Sequence, residues 1–167
     1  IELARLQRLM GQPDAVLTTL KSLGTHNPAS LPLAAPLMVE AAVATGRVPE
    51  VKVLLQAHYN QAPSLDVLES LVGIELADEV TRDTARQRYV EHLDKEASLV
   101  AATKWLADEK LEHEAFHPQI QKALEQATKP LTRYRCAACG FEARQHFWQC
   151  PGCQTWDSYP ARRVEEL

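Results

Sequence analysis

The chain has 167 residues and a mass of 18.7 kDa, room for one ordinary domain or a short repeat array, which excludes a large multidomain enzyme. Hydrophobic residues make up 46% and charged residues 24%, so the chain can bury a core and is not a disordered polymer. Eighteen Lys+Arg against 22 Asp+Glu give a net charge of −4 and a pI near 5.9, which argues against a protein built to coat phosphate backbones.

From residue 1 to 128 the pattern is helical, with 12 Lys+Arg and 18 Asp+Glu. Apolar residues recur three and four apart, as in Val16, Leu17, Leu20, Leu23, then Val51, Leu54, Leu55, Tyr59, then Leu65, Leu68, Leu71, Val72. Each set makes one stripe on a helix. Gly11 with Pro13 and Gly46 with Pro49 fall inside helix pairs, while Pro28 and Pro63 close them. Gly11 to Gly46 and Pro28 to Pro63 are both 35 positions apart, and a period near that length points to helical repeats.

Set one above the other, GQPDAVLTTLKSLGTHNP and GRVPEVKVLLQAHYNQAP keep their apolar positions in register and both end on proline. They resemble the tetratricopeptide repeat. The resemblance implies helix pairs joined by a Gly-containing turn, with Ala41 and Ala42 allowing close approach. The aromatic usual near the start of the first helix is missing from both units. Beyond 63, helical segments near 64–78, 82–97, 98–109 and 114–128 predict two further pairs without the glycine, as the capping units of a stack would be atypical. Gly73 lies inside an apolar stripe, where it costs roughly 1 kcal/mol against Ala unless a neighbouring helix needs the space.

The best candidate for a membrane span, Leu31 to Val39, is short and interrupted by Pro32 and Pro36, so none is expected. The chain starts at Ile1 in what reads as mid-helix, and the expectation is a C-terminal piece of a longer protein with any membrane anchor upstream. His113 and His117 are four apart but lack a third ligand, and a solvated helix end is the simpler reading. The acidic runs at 75–79 and 109–114 read as solvated faces, and Trp105 as a packing contact.

The last 39 residues invert the charge balance, with 6 Lys+Arg against 4 Asp+Glu, and hold all four cysteines, Cys136, Cys139, Cys150 and Cys153. YRCAACGFEARQHFWQCPGCQTWDSY has C-x2-C-x10-C-x2-C spacing, in which two tight turns facing each other complete a tetrahedral sulfur cage. Disulfides or free thiols would need that pairing to be accidental. Gly140 and the Pro151-Gly152 pair are expected to supply the turn chemistry, with a short hairpin between them. A module this small cannot fold on its own apolar surface, so the metal is its core. Zinc and iron both accept such a cage. Four cysteines leave no open position for hydrolysis. His146 reads as hairpin surface. Tyr134, Phe141, Trp148 and Trp156 read as a wall around the sulfurs that docks the module on the last helices, with Arg135 and Arg144 offsetting the negative charge of a thiolate-bound metal.

YRCAACGF followed by W-x-C-P-x-C-x-x-W at 148–156, after tetratricopeptide-like helices, is similar to the C-terminal part of the lipopolysaccharide assembly protein B family, whose terminal domain is rubredoxin-like. Rubredoxin itself separates its cysteine pairs more widely. The resemblance implies an inner-membrane protein with cytoplasmic repeats. It further implies an adaptor that helps a membrane-bound AAA+ zinc protease degrade the deacetylase committing precursors to lipid A. Cys136, Cys139, Cys150 and Cys153 match the family's metal ligands.

The expected molecule is therefore an all-α superhelix of tetratricopeptide-like hairpins over 1–128 and a linker at 129–133. A rubredoxin-like or zinc-ribbon domain over 134–160 then packs against the superhelix and stiffens its end, before a tail at 161–167. It would be a non-catalytic protein-binding adaptor with one zinc or iron ion, no catalytic residues and no nucleic-acid partner, able to form a homodimer. The alternatives are a nucleic-acid-binding ribbon on a helical scaffold and an iron electron-transfer protein.

Overall fold

Helices come first and a small ribbon last in the computed structural model, which describes residues 1–107 and 116–167. The described residues form α1 (Glu2–Leu9), α2 (Pro13–His26), α3 (Leu31–Thr45), α4 (Val48–Gln61), α5 (Leu65–Ala77), α6 (Gln87–Leu93), α7 (Leu99–Leu106) and α8 (His117–Thr128). Strands β1 (Tyr134–Arg135) and β2 (Glu142–Ala143) follow. The chain divides into two compact units, Ile1–Ala85 and Arg86–Leu167.

In the first unit the repeated punctuation marks the turns. Gly11 and Gly46 both have φ +69°, the left-handed conformation that ends α1 and α3 and that a Cβ would strain. Arg47 N–H then reaches back to the Ala42 carbonyl at 2.8 Å. Pro13 and Pro49 enter the first turns of α2 and α4, where no backbone N–H is required. α2 packs against α1 and α3, and α3 also packs against α4 and α5. Their seam is closed by Val16, Leu17, Leu20, Met38, Val51, Leu55, Leu68 and Leu71, all fully buried. Ala34, Ala35, Ala41 and Ala42 are buried with them and keep the α3 surface narrow enough for close neighbours.

The apolar stretch around α3 is longer than expected from its prolines. Pro32 sits in the first turn, and Pro36 lies within the helix without ending it. Residues Pro28–Thr45 reach a mean hydropathy of 1.3 over 18 residues, long and apolar enough to cross a membrane by length and composition. Within this unit, however, Leu31, Pro32, Ala34, Ala35, Met38, Ala41 and Ala42 are buried against neighbouring helices, which accounts for the composition.

Two other expectations change. Glu75 of the acidic run is buried, with its carboxylate 2.9 Å from Lys52 Nζ, so that end of the run is a packed ion pair and not a solvated face. The helix expected over 82–97 contracts to Gln87–Leu93. Ahead of it, Asp78 Oδ1 accepts from Val80 N–H at 2.9 Å, Thr81 Oγ1 donates to the Glu75 carbonyl at 3.1 Å and Thr84 Oγ1 to the Thr81 carbonyl at 3.1 Å. These short side chains satisfy backbone groups in a turn that a helix would otherwise use. Gly73 has nothing within 4 Å of where a Cβ would stand, so no neighbouring helix needs its space.

In the second unit α7 packs against both α6 and α8. His92 of α6 is among its buried side chains, and Trp105 of α7 is half-buried. His117 Nε2 lies 3.1 Å from the Leu106 carbonyl oxygen. His113 and the acidic run at 109–114 lie outside the described residues. The last residues turn back on the segment before β1, with Val164 N–H donating to the Arg133 carbonyl at 2.7 Å.

Candidate metal centre

The two cysteine pairs fold into turns of the same design. In the first, Gly140 N–H donates to the Cys136 carbonyl at 2.9 Å, and Cys136 N–H donates to the Phe141 carbonyl at 2.9 Å. In the second, Gln154 N–H donates to the Cys150 carbonyl at 2.8 Å, and Cys150 N–H to the Thr155 carbonyl at 2.9 Å. Each turn needs a left-handed residue directly after its second cysteine, and Gly140 (φ +77°) and Gln154 (φ +61°) fill those places. Pro151 and Gly152 lie in the second turn as expected, but Gly152 has no left-handed φ, and a Cβ there would stand in ordinary contact with Phe141 at 3.4 Å.

β1 and β2 join the turns as an antiparallel pair, Tyr134 opposite Ala143 and Arg135 opposite Glu142, and a second bridge links Gln149 to Trp156. The structure thereby brings Cys136, Cys139, Cys150 and Cys153 together, every Sγ within 4.8 Å of the others. Cys136 Sγ is 3.8 Å from Cys153 Sγ, and Cys139 Sγ is 3.7 Å from Cys150 Sγ. A tetrahedron of sulfurs about 2.3 Å from a central ion has edges of about 3.8 Å, so the cage fits a four-thiolate metal. These separations are too long for disulfides.

The chemistry of the donors supports the same conclusion. The Cys136 thiol is lowered to about 6, first by the Ser158 hydroxyl 3.2 Å from its sulfur and further by the amides of Cys139 and Ala138. Cys153 is also lowered, by the Thr155 hydroxyl at 3.3 Å and then by the Thr155 N–H. Cys139 goes the other way. The Phe141 N–H lowers it, but Cys153, burial, Cys136 and Cys150 together push it up to about 12. Tyr159, whose hydroxyl is 4.0 Å from Cys150 Sγ, is raised first by burial and then by that sulfur. Four sulfurs this close cannot all be anionic alone, whereas a divalent cation stabilises all four as thiolates.

The surroundings differ from expectation at several residues. His146 is not open hairpin surface but half-buried, with Nε2 3.0 Å from the Tyr159 carbonyl oxygen. Its ring packs edge-on to Trp148 at 4.7 Å and to Tyr134 at 5.8 Å. Tyr134 and Tyr159 are buried, but Phe141 is 44% and Trp156 64% exposed, so only part of the aromatic set encloses the site. Arg135 does not offset cage charge directly, since Nη2 pairs with Glu142 across the strands at 2.8 Å. Arg144 is exposed. Nothing in the sequence pattern marks Ser158, Thr155 and Tyr159 as neighbours of the sulfurs, although all three follow within six residues of Cys153.

Paired turns, crossed sulfurs and a two-stranded hairpin define a four-cysteine metal ribbon of the rubredoxin-like class, attached to an otherwise helical chain. The model of the family described as "Rubredoxin metal binding domain" matches residues 134–159. Lipopolysaccharide assembly protein B of Escherichia coli strain K12 is 44% identical over 36 residues, covering 21% of this chain and 9% of that protein. Proteins of the same name from serotypes O6:H1 and O157:H7 match over the same extent. The match thus spans less than a tenth of the length of these curated relatives. Together the two findings support the lipopolysaccharide assembly protein B family, and they do so through this chain's C-terminal region.

Proposed function

We propose that the chain is a non-catalytic adaptor in lipopolysaccharide assembly, with one zinc ion held by Cys136, Cys139, Cys150 and Cys153. The observation that carries this reading is the coincidence of a complete four-sulfur cage with the matched segment 134–159. When bound, zinc supplies charge neutralisation and a cross-link between the two turns, with no open coordination position. Ser158 and Thr155 then act as hydroxyl donors to the Cys136 and Cys153 thiolates, and Tyr159 seals the Cys150 side.

The helices supply the binding surface. Extended helical-hairpin surfaces suit segments of other proteins. Following the family resemblance, the partners are a membrane-bound AAA+ zinc protease and the deacetylase that commits precursors to lipid A. The place of action is the cytoplasmic face of the inner membrane. Elemental analysis of the purified chain should find one zinc per chain and no visible absorbance, while a coloured, reversibly bleached protein would point to iron. In cells lacking the native protein, Cys139→Ser in the full-length context should leave the deacetylase undegraded and weaken capture of the protease. Wild-type deacetylase turnover with that variant would remove the adaptor reading.

A further inference from the structure

We propose that Arg163–Glu165 form a clasp that ties occupancy of the cysteine cage to the folding of α7. Three successive residues of this segment grip the turn at 131–133 that leads into β1 and the cage. The Arg163 guanidinium lies over the Tyr134 ring, 4.3 Å from its centroid, and Nη1 donates to the Thr132 carbonyl at 2.6 Å. Val164 N–H donates to the Arg133 carbonyl at 2.7 Å, and Glu165 N–H to the Leu131 carbonyl at 3.2 Å. Glu166 closes the turn, its Oε2 accepting from Arg163 N–H at 2.7 Å.

The far end of the clasp holds a helix. Glu165 Oε1 accepts from Leu99 N–H at 2.5 Å and from Val100 N–H at 3.1 Å, and Oε2 accepts from the Ser98 hydroxyl at 2.8 Å. Ser98 Oγ in turn caps Ala101 N–H at 2.9 Å. The first turn of α7 is therefore closed by a carboxylate from 66 residues downstream, in charge-assisted hydrogen bonds at the positive end of the helix. α7 has eight residues, below the length at which a helix holds by itself in water, so this cap bears on whether it forms.

Tyr134 is two residues before Cys136, and β1 is two residues long, so the seat of the clasp keeps its shape through the cage. Removing the metal takes away the cross-link between β1–β2 and the second cysteine turn. Tyr134 then shifts under Arg163, the 131–133 carbonyls lose their fixed spacing, and Glu165 is released from α7. Linkage requires the converse: α7 held by Glu165 tightens metal binding. Metal supply or loss thereby becomes readable on a helix surface away from the sulfurs. The inference rests on the metal reading of the cage and is independent of the adaptor's partners.

Hydrogen exchange on the full chain tests it, comparing zinc-loaded with chelator-stripped protein and following the segments 98–106, 134–159 and 48–61. In the wild type, stripping should lower protection of 98–106 at least tenfold, and zinc chloride should restore it, while 48–61 stays unchanged. Glu165→Gln should show weak protection of 98–106 with zinc bound, little further loss on stripping, and weaker zinc affinity in chelator competition. Arg163→Gln, cut at the other end, should keep the carboxylate cap and reduce the zinc dependence of 98–106. The proposal is overturned if stripping exposes 134–159 but not 98–106, if both variants keep wild-type coupling, or if the stripped chain takes up no zinc.

Discussion

Gln154 holds a backbone conformation that Gly140 holds at the equivalent place in the other turn, φ +61° against +77°. A side chain in that region costs roughly 1–2 kcal/mol, because Cβ crowds the following carbonyl. Gln154→Gly should therefore relieve strain in the metal-bound ribbon by about 1 kcal/mol, read as a roughly fivefold gain in zinc affinity by chelator competition. Unchanged or weaker affinity would show that the second turn is not strained. The ligands themselves were legible because paired thiolates announce themselves by spacing. Gln154 was not, since the Pro-Gly dipeptide accounts for the turn and glutamine gives no sign of a left-handed backbone beside it. His92 was equally silent. It is buried in α6, and burial first, with Lys95 adding, holds its imidazole below the usual 6.5 against the opposing pull of Glu96 and Glu165. Below the unfolded value the unfolded chain binds a proton that the folded chain refuses, so stability is present above that value and is lost as pH falls towards the lowered one. Denaturation of the second unit followed from pH 7.5 to 5.5 should show a decline that is shallower in His92→Gln, and parallel profiles would contradict it.

At the scale of elements, what the sequence displays is what depends on near neighbours. Gly11 and Gly46 stood out because a left-handed helix end selects glycine at a fixed place in each repeat, and both hairpins turn there. The shortening of α6 depends on hydroxyl and carboxylate groups of Asp78, Thr81 and Thr84 bonding backbone groups two to six residues away, and such residues look neutral in a hydrophobic pattern. The burial of Glu75 needs Lys52 from the preceding helix, which no stripe on α5 reveals. Gly73 shows the same limit from the other side. Its place in an apolar stripe left open whether a neighbouring helix needs the space, and open space lies where its Cβ would be. With no packing reason for glycine in the interior of α5, Gly73→Ala should raise stability by roughly 1 kcal/mol through helix propensity and a less flexible unfolded chain. Chemical denaturation monitored by helix signal would detect it, and a destabilised variant would mean the alanine methyl meets something.

Across the whole molecule the two compact units draw on different sources of stability. The first is held by apolar side chains, and truncating one such as Leu55 or Leu68 to Ala would cost about 2–5 kcal/mol. In the second, α6 has seven residues, α7 eight, and α8 buries only Thr128 among its described residues, so less of its stability comes from a helical core. There a metal bound in the cage would contribute most, since structural zinc, the ion proposed above, supplies on the order of 10–16 kcal/mol of apparent binding free energy in small modules at pH 7. Tryptophan placement separates the two experimentally. All three tryptophans, Trp105, Trp148 and Trp156, belong to the second unit, whereas the long helices α2–α5 belong to the first. On heating, the chelator-stripped chain should show its fluorescence transition tens of degrees below that of the zinc-loaded chain, or lose it altogether. The principal loss of far-ultraviolet helix signal should stay where it was, and added zinc should bring the fluorescence transition back. A single transition seen by both probes and moved as a whole by the chelator would mean that the metal stabilises the helical hairpins as well, and an unmoved fluorescence transition would mean that the cage is not the core of its unit.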